Sequence, residues 1–312
     1  MNCMRFSRFG PPEVLGLHEI PTPRPGPGEV LIAIEAASVT PGDAKLRAGL
    51  LQELFPVSLP CIPGRDGAGR VAALGTAVDY ARSGEPVCFV AQRTVQGSYA
   101  THIVRDARSV VGLPDTMSFA EGAALMHAGT CAWIALVGTA SLERGQKLLV
   151  HGGSGAIGGM AVQLAKHLGV RVSATCSARN TDYVQSLGAD EVIAYDREPF
   201  WEGRGGFDMV LDLVGGRTHE RSYPLLRKGG TLVWLIAQPF KDRSAEFGVR
   251  TLQARIVDSP RANAAVVALA AKGVIKAQVS SRMPLREAAE AHRRVEGGRA
   301  SRGRIVLDTR ES

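Results

Sequence analysis

Aromatic residues are scarce in this chain, its cysteines follow no pattern, and by eye it has no long apolar run. Aromatics make up 5% of the 312 residues. None is interleaved with the arginines gathered near the C-terminus, Arg293, Arg294, Arg299, Arg302 and Arg304. A basic stripe without a stacking platform argues against nucleic acid as the main partner, and the formal charge of +7 suits an anionic cofactor equally well. The five cysteines, Cys3, Cys61, Cys88, Cys131 and Cys176, are odd in number and never in C-x-x-C spacing. That excludes a disulfide framework and a cysteine-rich zinc lobe. No stretch is expected to reach the roughly 18–20 apolar residues of a membrane span. The opening "MNCMRFSRFGPPEVLG" meets two prolines before any apolar core of a leader, so no secretory signal is expected. A reducing cytoplasm is the expected home.

With 45% hydrophobic and 21% charged residues the composition is that of an ordinary globular chain, long enough to split into two domains. Up to about Pro114 it is rich in Pro and Gly and reads as short strands and loops. "EVLIAIEAASV" (29–39) and "GRVAAL" (69–74) are strand-like, and "PTPRPGPG" (21–28) is a turn-rich connector. A helical stretch over 119–137 then precedes strands expected at 147–151, 170–175, 191–194, 208–212 and 230–236, alternating with helices. Such alternation predicts βαβ units and a parallel sheet covered on both faces. Ser259-Pro260 opens a further helix that Gly273 stops, a second helix runs over 285–296, and "GRIVLD" (303–308) makes a final strand.

The densest signal is "VHGGSGAIGGMAVQLAK" (150–166). An apolar strand, "KLLVH", leads into it. Ile157, Met160, Ala161, Leu164 and Leu168 follow at helical spacing. Gly153, Gly155 and Gly158 fit G-x-G-x-x-G at this strand-to-helix junction. Their expected roles are the tight turn, close backbone approach to a pyrophosphate, and close helix–strand packing, with Ser154, Ala156 and Ile157 completing the loop. The next strand, "VRVSATCSARN", ends at Ser177 and Arg179 where the adenosine ribose should lie, with no acid before Asp182. An arginine and small polar groups there favour NADPH over NADH.

With these residues assembled, the chain resembles the medium-chain dehydrogenase/reductase superfamily, and within it the zinc-independent quinone oxidoreductases, the zeta-crystallin-like branch. The resemblance rests on "ASVTPGDAKLRAG" (37–49), "PCIPGRDGAGRV" (60–71), "GSYA" (97–100), "GTCAWIAL" (129–136), the glycine loop, "SLGADEVIAY" (186–195), "FDMVLDLVGG" (207–216) and "RGRIVL" (302–307). It implies an α/β protein with a GroES-like β-rich catalytic domain (1–118 and 258–312) around a Rossmann doubly wound parallel sheet domain (119–257). It also implies a site in the cleft between them and a homodimer. Carried over by position, Thr40 stands where the family commonly has asparagine beside the nicotinamide, and Lys45 where members have tyrosine or lysine. Cys131 takes the place of a threonine near the cofactor, Ile236 that of a frequent glycine, and Tyr195 that of a tyrosine bordering the 2′-phosphate. Val214 belongs to the same cofactor-lining set. Zinc-dependent relatives carry a Cys and a G-H-E triplet where this chain reads "TPGDAK" and "PGRDGAG". No metal is therefore expected, and His127 and His151 are read as packing or cleft-lining residues.

Without a metal Lewis acid, the chemistry best matched is hydride transfer to a quinone or an α,β-unsaturated carbonyl, with Lys45 and Thr40 near the oxygen that gains charge. Asp43 is expected to brace its own turn and Tyr99 to pack. Two other readings stay open: an enoyl-thioester reductase of the same fold, and an NADPH-binding protein with a nucleic-acid or scaffold role.

Overall fold

The structure is a computed structural model and describes residues 1–79, 81–91, 96–235, 240–298 and 301–310. The chain clusters into two compact units. One comprises Met1–His127, Val257–Ala271 and Lys276–Ser312; the other comprises Ala128–Ile256 and Lys272–Ile275.

The first unit opens with paired β1 (Asn2–Arg5) and β2 (Gly16–Glu19). It continues with β3 (Glu29–Val39), α1 (Pro41–Arg47), β4 (Asp66–Leu74), β5 (Pro86–Val90), β6 (His102–Asp106) and β7 (Val110–Gly112). After α2 (Phe119–Trp133) come the strands and helices of the second unit. These are β8 (Lys147–His151), α3 (Ala156–His167), β9 (Arg171–Cys176), α4 (Thr181–Ser186), β10 (Glu191–Ala194) and β11 (Phe207–Asp212). They end with α5 (Arg217–Ser222), β12 (Leu226–Trp234), α6 (Ser244–Phe247) and β13 (Arg250–Gln253). The chain then returns to the first unit as α7 (Pro260–Ala271), β14 (Val279–Pro284), α8 (Ala288–Glu296) and β15 (Arg304–Asp308).

Among the described residues the first unit holds a seven-stranded sheet in the order β14-β15-β3-β4-β5-β7, with β6 also paired to β3. The long strand β3 serves two cores because its side chains change neighbours along its length. Val30, Ile32 and Ile34 pack with Val71, Val87, Phe89 and Ile103. Ala37 and Val39 pack with Phe6, Leu46, Tyr99, Leu285 and Leu307. The C-terminal segment is built in by antiparallel pairing of β15 on β3, with Ile305 opposite Val39 and Leu307 opposite Ala37. Gly69 marks the closest approach of β4 to β3: a Cβ there would lie 2.0 Å from the Ala33 carbonyl oxygen.

In the second unit the described strands form a parallel sheet in the order β10-β9-β8-β11-β12-β13. Strand order reverses between β8 and β11, and in open parallel sheets the crevice at such a reversal is where ligands bind. Strand β12 begins four residues earlier than the sequence pattern predicts, because Leu226 pairs with Phe207 ahead of an irregularity in the ladder.

Helix α2 corrects one expectation. It runs on through a π turn, Ile134–Thr139, so that Phe119–Thr139 is a 21-residue helical segment of mean hydropathy 1.3, long and apolar enough to cross a membrane. Its apolarity has a local explanation: 72% of the most apolar window is buried inside the protein, and a helix packed all round is apolar all round.

Candidate functional site

The glycine loop lies between β8 and α3, at the carboxyl edge of the sheet. The residue that makes the sharp turn is Gly152, at φ +77°, one position before the glycine expected from the motif. Gly153 instead gives close packing, since a Cβ would stand 2.9 Å from the Ala174 Cβ on β9. Gly158 lets α3 settle on the turn, as a Cβ there would meet the Gly152 carbonyl oxygen at 2.2 Å. Gly155 caps α3 in an extended conformation. The amides of Ala156, Ile157 and Gly158 therefore open a twelve-residue helix with no intrahelical acceptor, the usual seat of an anion. These residues form a cradle that side chains would fill.

The turn is held from below by a buried chain of hydrogen bonds. Thr175 accepts the Gly153 amide at its carbonyl (2.8 Å) and the Gly152 amide at its hydroxyl (3.3 Å). Its Oγ1 lies 3.2 Å from His151 Nδ1, and His151 Nε2 lies 3.0 Å from Ser222 Oγ. Ser222 gives its own proton to the Thr218 carbonyl, so His151 donates through Nε2 and accepts from Thr175 through Nδ1. Burial lowers the His151 pKa to about 4, which keeps the imidazole neutral and this direction fixed.

The residues expected at the ribose lie at the ends of β9 and β10. Ser177 is half-buried, Arg179 exposed and Tyr195 57% exposed; the Tyr195 amide donates to the Cys176 carbonyl, which sets the two strand ends side by side. Asn180 was not singled out in the sequence, yet its buried amide donates to both Ser177 Oγ (3.1 Å) and Ser154 Oγ (3.4 Å), tying this end to the glycine loop. Asp196 was missed as well: its carboxylate accepts the Ala178 amide at 2.8 Å. An acid is therefore present beside Arg179, delivered by the neighbouring strand rather than by β9 itself. The parallel register that places Ala194 against Cys176 was the signal that would have found it.

At the end of β11, Asp212 accepts the Val214 and Gly215 amides, each at 2.9 Å. This turn brings Val214 to the glycine loop: its Cγ2 lies 3.6 Å from the Cβ position of Gly152. Cys131 is buried in α2. Ile236 lies outside the described residues.

In the first unit, Thr40 caps α1. Its hydroxyl accepts the Asp43 amide (3.1 Å) and the Asp43 carboxylate accepts the Thr40 amide (2.8 Å), a reciprocal box that satisfies two helix-end donors. Asp43 thus braces its own turn. Thr40 itself is buried. Lys45 stands on the exposed side of α1, one turn along. Tyr99 does more than pack, because its buried hydroxyl lies 3.2 Å from His292 Nε2. Behind Thr40, Ser38 donates to the fully buried Asp66, whose other oxygen accepts the His127 amide (3.1 Å). Burial pushes the Asp66 carboxyl up to about 6, against the opposing pull of Arg304 and the Ser38 hydrogen bond.

Zinc needs three or four converging thiolate, imidazole or carboxylate ligands. Among the described residues there is no group of three or more His, Cys, Asp or Glu side chains that could hold a metal. His127 Nδ1 faces Arg304 at 3.3 Å, and both His151 nitrogens are spent as described. Burial raises the thiols of Cys61, Cys88 and Cys176 to about 11, 12 and 11, so they stand protonated. Among the described residues, the side chains do not converge as a zinc ligand set.

Comparison with known proteins agrees with this architecture. The family described as "Alcohol dehydrogenase GroES-like domain" matches residues 26–189, and that described as "Zinc-binding dehydrogenase" matches residues 187–307. A chloroplastic quinone-oxidoreductase homolog of Spinacia oleracea is 32% identical, over 99% of this chain and 98% of its own length. The solved quinone oxidoreductase of Coxiella burnetii superposes with a TM-score of 0.89 at 29% identity, covering 99% of each chain. A mycobacterial protein solved in complex with NADPH superposes with a TM-score of 0.88 at 28% identity, over 99% of this chain and 100% of its own. The chain belongs to the medium-chain dehydrogenase/reductase superfamily, in its quinone oxidoreductase branch, and is an oxidoreductase.

Proposed function

We propose that the protein is an NADPH-dependent, zinc-independent oxidoreductase that transfers hydride to a quinone or another conjugated carbonyl acceptor. The observation that carries this reading is the glycine cradle at the strand-order reversal, with Ser177, Arg179 and Tyr195 at the strand ends beside it. A pyrophosphate suits the amides at the start of α3, and Arg179 offers a charge-assisted hydrogen bond to a 2′-phosphate. NADPH, held there, would supply the hydride.

The chain's own part is to hold, orient and shield. The Asp212-bound turn sets Val214 over the glycine loop, and the Thr175–His151–Ser222 chain fixes the loop from beneath. In the first unit, the capping box fixes the Thr40 hydroxyl while leaving its proton to donate toward an acceptor oxygen. Lys45 supplies positive charge on the same helix. Conjugation spreads the incoming charge to a distant oxygen, so donors of this strength suffice. An isolated ketone would form a localised alkoxide and would call for a metal or a positioned acid. A homodimer and a cytoplasmic location belong to the same reading.

Steady-state oxidation of NADPH in the presence of a metal chelator tests it, with a small quinone, an enal, an enoyl thioester and a saturated ketone as acceptors. Turnover with the quinone or enal and none with the saturated ketone is expected. Efficient reduction of the saturated ketone, or activity lost together with one equivalent of zinc, would contradict the proposal.

A further inference from the structure

Helix α5 carries a buried histidine that the sequence motifs did not single out. His219 is 2% exposed, and its Nδ1 lies 2.8 Å from Asp212 Oδ2. Asp212 uses its other oxygen for the Val214 and Gly215 amides. Burial works to raise the Asp212 carboxyl, yet the His219 hydrogen bond and these two amides together bring it below the ordinary carboxylate range. An ionised carboxylate only accepts, so Nδ1 carries the hydrogen and points it at Asp212. The second nitrogen, Nε2, lies 3.2 Å from the buried Tyr223 hydroxyl, which lies 3.4 Å from Asp242 Oδ1. Phe240 packs on the imidazole face at 4.1 Å between centroids and also meets Trp234 edge-on at 4.9 Å.

His219 therefore stands between two pieces of chain. One is the turn after β11, which lays Val214 on the glycine loop. The other is the segment around 240–242, which follows β12. Strands β11 and β12 are parallel neighbours, so the turn after β11 and Trp234 at the end of β12 lie at the carboxyl edge of the sheet, where Phe240 meets Trp234. A buried histidine that used one nitrogen would be a satisfied core residue. Here Nδ1 is committed to the turn after β11, Nε2 to Tyr223 at the end of its own helix, and one ring face to Phe240.

We propose that His219 is a positioning residue for the cofactor: through its hydrogen bond to Asp212 and its ring contact with Phe240, braced by Tyr223 at Nε2, it holds the 213–216 turn and the 240–242 segment as one wall of the nucleotide site. This rests on the NADPH reading and adds to it a residue that touches no cofactor atom. A wall held this way sets how tightly the cofactor is gripped. Its loss falls on KM for NADPH and on the dissociation constant, far more than on kcat at saturating cofactor.

The test uses the purified full chain, with NADPH titrated by fluorescence and steady-state kinetics run with a small quinone. His219→Ala is expected to weaken NADPH about tenfold or more, the scale of one lost charge-assisted hydrogen bond. His219→Asn, whose side-chain amide can replace the Nδ1 donor to Asp212, recovers most of that loss. Tyr223→Phe, which keeps the ring and removes only the hydroxyl, weakens NADPH about threefold to tenfold. Should His219→Ala fail to fold, the other two variants decide the matter. Variants that melt at lower temperature yet bind NADPH as tightly as the wild type would overturn the proposal, as would an Asn variant no better than the Ala variant. A wild-type chain that binds no NADPH would overturn the cofactor reading itself, a result distinct from unchanged affinity in the variants.

Discussion

In the second unit, the residues of the proposed nucleotide site come from the ends of adjacent parallel strands: Gly152 after β8, Ser177 after β9, Tyr195 after β10 and Val214 after β11. In the first unit, the polar groups behind Thr40 come from segments far apart in the chain. Ser38 and Asp66 are separated by 28 positions, and Tyr99 and His292 by 193. The nucleotide site is thus a local construction repeated along a sheet edge, each part fixed by its own strand-to-helix turn. The proposed catalytic side depends on long-range closure, with α8 and β15 supplied by the end of the chain. Damage to the first kind of site should be narrow and read out in cofactor affinity. Damage to the second should spread into folding stability.

Gly158→Val tests the local half most severely. Its Cβ has no room beside the Gly152 carbonyl, so the cradle must open or α3 must shift. NADPH binding should vanish in a titration, with a stability loss of about 3 kcal/mol in chemical denaturation. Retained affinity would show that the turn is softer than its packing implies.

Asp66→Asn probes the long-range half. The folded carboxyl is raised from 3.8 to about 6, so the stability tied to its protonated form is present below about pH 4 and lost as pH rises through 6. Relative to Asp66→Asn, the wild type should lose about 2 kcal/mol between about pH 4 and pH 7. Denaturant midpoints across that range measure it, and a parallel pH dependence in the two proteins would remove Asp66 as the source.

Thr40→Ala should cost about 1 kcal/mol through the lost cap and lower turnover, whereas Thr40→Ser keeps the accepting oxygen and the donating proton. Unfolding curves and kcat for both variants decide this. A serine variant as impaired as the alanine one would assign the role to the threonine methyl instead.

How much was legible in the sequence follows the same division. The strand, glycine turn and helix from Lys147 to His167 could be read because their signals are contiguous and depend on missing Cβ atoms and simple periodicity. Even there Gly152, not Gly153, makes the turn, since the motif records which residues are glycine and not which backbone has positive φ. Asp196, Asn180 and His219 stayed hidden because each acts through a partner on another strand or helix, and no spacing within one segment announces that. The helix over Phe119–Thr139 was legible as a helix, but its largely apolar surface reads as core only once its burial is seen.

The account depends most on Arg179 reading a 2′-phosphate while Asp196, bound to the Ala178 amide beside it, does not turn the site toward NADH. Equilibrium titration of NADPH and NADH against the wild type and Arg179→Ala tests this directly. The wild type should bind NADPH at least about tenfold more tightly than NADH. Arg179→Ala should weaken NADPH by about 10–150-fold while leaving NADH almost unchanged. Equal affinity of the wild type for the two cofactors, or an equal loss of both in the variant, would contradict it.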